Sequence, residues 1–148
     1  MTENGYNGIM ARHTPENLEP TSRTVGSNVR RLRSQLGLSL RDLSSRMPAD
    51  HPIRFSALGE LERGDRRATV DDLTALAIAF DVSPVALLQP YTLRAEGVVP
   101  VTGNSAGVSP DRMLSWLCGF RTIDGKDSTR DSLPPWAWTW TFSDAGTL

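Results

Sequence analysis

The chain has 148 residues, with 39% hydrophobic and 22% charged side chains and a formal net charge of −1, which fits one ordinary globular domain with accessory segments. Its longest unbroken apolar run, Ala75 to Phe80, falls far short of the roughly 20 residues that span a bilayer, and the polar N-terminus lacks a signal core, so neither a membrane partner nor secretion is expected. One cysteine, Cys118, and two histidines, His13 and His51, exclude a disulfide framework and leave no cysteine- or histidine-built metal site.

Residues 1–21 hold Gly, Asn, Pro, Thr and Glu without a period and read as a flexible tail. Residues 22–90 are dense in helix signals, and five short helices are predicted there. The first covers residues 24–36, with Val25, Val29, Leu32 and Leu36 on one stripe and Gly37 as a left-handed terminator. The second starts at Ser39, which forms a near capping box with Asp42. Its stripe is Leu40, Leu43 and Met47, and Pro48 stops it. The third covers residues 54–63, with Phe55, Leu58 and Leu61 spaced three apart and read as inward-facing, and Gly64 closes it. The fourth begins at Thr69 with Asp72 three positions on, and carries Leu73, Leu76, Ala77 and Phe80 inward. The fifth starts at Ser83-Pro84, holds Leu87 and Leu88, and ends before Pro90. Residues 91–109 mix Gly, Ser, Thr and Pro and read as a linker with a short extended piece at Val98 to Val101. Residues 110–148 form a C-terminal accessory segment: a helix with Met113, Leu114 and Leu117 on one side, then a tryptophan-rich stretch.

Charge is distributed unevenly. Residues 22–68 carry ten arginines against five acids, net +5, and such a localised basic patch is the electrostatic footprint of a nucleic-acid binder. A solvated helical face would carry the same charge, so the patch alone decides nothing. The ordered run RRLRSQLGLSLRDLSSRM, FSALGELERG and TVDDLTALAIAFDVSP resembles the Cro/repressor-type (XRE) helix-turn-helix family over roughly residues 25–88. The resemblance implies an all-α, five-helix lambda-repressor-like domain that binds double-stranded DNA as a homodimer.

In that geometry the third helix inserts its N-terminal residues into the major groove. The expected base readers are Arg54 and Ser56, with Glu60 and Phe55 as further candidates, and Gly59 is expected to permit close approach to the groove. Ser39 and Arg41 at the start of the second helix, and Arg66 and Arg67 in the loop after the third, are expected at phosphates. Arg33 and Glu62 are expected to form a structural ion pair, as the resemblance implies. Two departures from the family pattern stand out. Leu40 occupies a position usually polar, and the turn around Pro48 to Pro52 is about four residues longer than usual, leaving it either along the DNA backbone or bulging into solvent.

In an extended chain Trp136, Trp138 and Trp140 share a face. They either pack back onto the helical domain, contact a second copy or another protein, or stack on single-stranded nucleic acid. The implied function is a sequence-specific transcriptional regulator of the bacterial or phage-infected cytoplasm, a repressor by family prevalence. An antitoxin that holds its toxin through the C-terminal segment, and an adaptor that no longer reads DNA, are the alternatives. No nucleophile set, paired carboxylates or phosphate loop emerges, so neither an enzyme nor a cofactor is expected.

Overall fold

The computed structural model describes residues 18–92 and 96–124. In chain order it contains α1 (Pro20–Gln35), α2 (Leu40–Arg46), α3 (Phe55–Arg63), α4 (Val70–Phe80), α5 (Pro84–Leu88), β1 (Val99–Val101), β2 (Asn104–Val108) and α6 (Pro110–Leu117). Among the described residues no helix is long and apolar enough to cross a membrane.

The first five helices enclose one core. Val25 and Val29 of α1, Leu43 of α2, Leu58 and Leu61 of α3, Leu76 and Phe80 of α4, and Leu87 of α5 are its buried centre. Helices α1, α2 and α4 each have a chemical reason for where they start. Both anticipated capping boxes form: the Ser39 and Thr69 hydroxyls accept from the backbone N–H of Asp42 and Asp72, whose carboxylates accept in return. The start of α1 differs from expectation. Pro20 takes the first helical turn, where its missing N–H costs nothing, and Leu18 is buried before it. The segment read as a tail is therefore already part of the packed body by residue 18.

α1 and α3 cross closely at Gly26. A Cβ on Gly26 would lie 2.3 Å from the Leu61 carbonyl oxygen, a backbone atom that cannot swing aside. Gly26→Ala is expected to destabilise the fold by about 3 kcal/mol, the upper end of ordinary overpacking. The shift of the urea midpoint measures this, and an unchanged midpoint would mean that the two helices separate freely.

The segment read as a linker folds. β1 and β2 pair antiparallel, Val101 opposite Asn104, around a two-residue turn in which Gly103 has φ 87°. Val99, Val101, Val108 and Met113 of α6 make a second, smaller apolar cluster. It is tied to the helical body by reciprocal bonds between Thr21 and Thr102 (3.1 and 3.2 Å) and by the Gln89 amide donating to the Pro110 carbonyl at 3.2 Å. Asn28, buried on the inner stripe of α1, donates to the carbonyls of Leu87 (3.0 Å) and Gln89 (2.8 Å). It thereby satisfies the open C-terminal end of α5, where helix carbonyls lack partners.

Candidate nucleic-acid interface

Solvent-facing chemistry concentrates at the start of α3. Pro48 stops α2, and the chain re-enters the core at buried Ile53, whose carbonyl accepts from the Ser44 hydroxyl at 2.7 Å. Arg54 then caps α3 in extended geometry. Arg54, Phe55 and Ser56 are all exposed in this first turn, and Glu60 is exposed one turn later. The N-terminus of a helix also carries partial positive charge, which adds to Arg54.

Two sequence readings need correction here. Phe55 does not join the core: it is 41% exposed, and the Arg41 guanidinium lies 4.2 Å from its ring centroid. Helix geometry explains why. Phe55 and Leu61 are six residues apart, which at about 100° per residue puts them roughly 120° apart around the axis, so a three-residue spacing cannot face one core throughout. Gly59 does not lie at the exposed face. It is buried, and a Cβ there would meet the Leu40 side chain at 3.4 Å. Leu40, the apolar departure from the family pattern, packs beside Gly59, as does Arg63, whose Nη1 a Cβ there would meet at 3.2 Å. A mid-helix glycine costs about 1 kcal/mol and signals such a packing reason.

The candidate phosphate contacts divide in two. Ser39, Arg41 and Arg67 are exposed, Ser39 while capping α2. Its hydroxyl and backbone N–H hold the Asp42 carboxyl below its usual range. Arg66 is committed elsewhere, donating to the buried Asp72 carboxylate at 2.7 Å. That carboxylate is also 2.9 Å from His51 Nε2 and accepts from the Thr69 backbone N–H at 3.0 Å. His51 therefore ties the long turn to the first turn of α4, while Ala49, Asp50 and Pro52 stay exposed. Asp72 is the residue that sequence reasoning missed. It read as a capping residue, and its other two partners arrive from loops that carry no periodic signal.

Behind the exposed turn, α3 is braced against α1. Arg33 Nε donates to Glu62 Oε1 at 2.6 Å and Arg33 Nη2 to Glu62 Oε2 at 2.8 Å, while Nη1 donates to the Leu38 carbonyl at 2.8 Å. The Glu62 hydrogen bonds raise the Arg33 pKa against the opposing effect of burial. Gly64, at φ 81°, then ends α3 as a left-handed cap.

This arrangement is two packed helices joined by an anchored turn, the second with an exposed first turn. Residues 29–87 match the helix-turn-helix family profile. The crystal structure of the DNA-binding domain of BldD is 30% identical, over 51% of this chain and 99% of that one, with a TM-score of 0.41. The chain belongs to the Cro/repressor-type (XRE) helix-turn-helix family. No curated protein matches it. Within the family frame, α2 and α3 are the motif helices, and Arg54, Phe55 and Ser56 stand at the front of the second. Trp136, Trp138 and Trp140 lie outside the described residues.

Proposed function

We propose that this protein is a sequence-specific regulator of transcription that binds double-stranded DNA and reads the major groove with the first turn of α3. The observation that carries the proposal is the exposed triplet Arg54, Phe55 and Ser56 on a helix start braced from behind by the Arg33–Glu62 pair. Fixed placement matters because base edges are distinguished by donor and acceptor position. Arg54 has the fork that fits guanine O6 and N7, Ser56 bonds either a donor or an acceptor, and the exposed Phe55 ring suits a thymine methyl. Glu60, further along the exposed side, is placed to accept from a cytosine amino group. Ser39, Arg41 and Arg67 flank that turn as phosphate contacts, which fix register without reading sequence. BldD's structure is titled a DNA-binding domain, which supports the same reading. In bacterial or phage-infected cytoplasm a homodimer would engage two half-sites about one helical turn apart, and repression follows if these overlap a promoter.

Fluorescence anisotropy with DNA from upstream of its own gene, against a shuffled fragment across a salt series, tests this. A preference of about 10³ or more is expected at physiological salt. Arg54→Ala should cost about 1–3 kcal/mol on the preferred fragment and little on the shuffled one. Arg67→Ala should weaken both and lower the salt slope by about 1. No binding to either fragment at low salt would overturn the proposal.

A further inference from the structure

The helical body and the C-terminal unit do not close on each other completely. Between α1, α5 and α6 lies a groove of ≈ 970 Å³, whose walls include Leu32, Val85, Tyr91 and Leu114. Tyr91 is 56% and Leu114 46% exposed, an apolar surface of the kind that marks a binding groove. Arg31 stacks its guanidinium 3.7 Å from the Tyr91 ring centroid at one side. Gln89 lines the groove too, and its buried Oε1 has no hydrogen-bond partner among the described residues. An occupant of this groove should therefore bring apolar, aromatic surface.

The chain carries such an occupant. Residues 133–140 read LPPWAWTW. Tryptophan combines a large apolar face with an indole N–H that donates and never accepts. The path of the described chain favours delivery in cis. After α6 it doubles back, with the Phe120 N–H bonded to the Ser115 carbonyl at 2.8 Å, and the Asp124 carbonyl lies 3.4 Å from Arg112 Nη1. The described chain thus ends near Arg112 of α6, whose neighbours Pro110 and Asp111 line the groove. The 12 residues from Asp124 to Trp136 reach up to about 40 Å when extended. That exceeds the roughly 24 Å length of a 16-residue helix such as α1.

We propose that the tryptophan segment of residues 133–140 docks in the groove between α1, α5 and α6 of its own chain, an indole filling the space beside Leu114. This contact would join the C-terminal segment to the outer face of α1 and α5, leaving the start of α3 free.

The test uses the full chain carrying Trp116→Phe, so that all indole emission comes from the segment. The expected result is blue-shifted emission protected from acrylamide. Leu114→Arg, at an already exposed position, should shift it red and raise quenching several-fold with the far-ultraviolet circular dichroism unchanged. Ala86→Arg on α5, also exposed and groove-lining, should do the same if Leu114→Arg fails to fold. In a chain with Trp136, Trp138 and Trp140 replaced by Ser, Leu114→Arg should cause no further loss of melting temperature. Emission that is indifferent to both arginines would overturn the proposal. A blue shift lost on dilution, together with a dimer-to-monomer change in light scattering, would overturn it by making a second copy the occupant.

Discussion

Glu62→Ala is expected to cost about 3–5 kcal/mol of folding stability, the range for breaking a buried ion pair on one side. For a domain of this size that is a fall in melting temperature of roughly 12 °C or more. The carboxylate is 6% exposed and accepts two of Arg33's donors at 2.6 and 2.8 Å. Its removal strands a half-buried guanidinium whose pKa Glu62 has raised, and a guanidinium does not escape by losing its proton. Only the bond to the Leu38 carbonyl remains. Glu62→Gln, which keeps one acceptor and the shape, should lose less. Because the pair lies behind α3, the remaining folded molecules at low temperature should keep their order of preference among DNA sequences. Thermal melts with anisotropy on the same samples decide the matter. An unchanged melting temperature with lost binding would place Glu62 at the DNA instead of in the brace.

The Arg33–Glu62 pair was accessible from the family resemblance, and helices α2, α4 and α5 from their caps: a serine or threonine with an acid three positions on, or Ser-Pro, states a helix start in local chemistry. What escaped the sequence has a common cause, which is dependence on distant partners. Nothing local marks Asn28 as the donor from α1 to the end of α5, except that it is a polar residue in an apolar stripe. β2 reads NSAGV, a composition typical of loops, and becomes a strand because β1 pairs with it and Met113 covers its valine. Phe55 was recoverable by arithmetic, since three-residue spacing drifts about 60° per step around a helix.

The same dependence on distant partners makes Asp72 a residue whose loss should reach the exposed face without its touching DNA. Burial would push its carboxyl up, but His51, the Thr69 backbone N–H and hydroxyl, and Arg66 together hold it below the usual carboxylate range. It is therefore ionised in the folded protein over a wider range than in the unfolded chain. A depressed folded pKa contributes stability that is fully present above the unfolded value, near pH 4. That stability is lost as pH falls through the folded value. Asp72→Ala removes the reciprocal half of the α4 capping box and leaves a partly buried arginine unpaired, so a loss near 3–5 kcal/mol is expected. Asp72→Asn should lose less, and its deficit against the parent should be constant above about pH 5 and shrink below about pH 4. Urea titrations from pH 3 to 7 measure it, and a deficit that grew on acidification would contradict an ionised, paired Asp72. The loops on either side of α3, at His51 and Arg66, both end on this one carboxylate. Asp72→Asn should therefore also weaken discrimination between the preferred and shuffled fragments, at temperatures where the variant is fully folded, because the turn that sets the entry angle of α3 is no longer held from below.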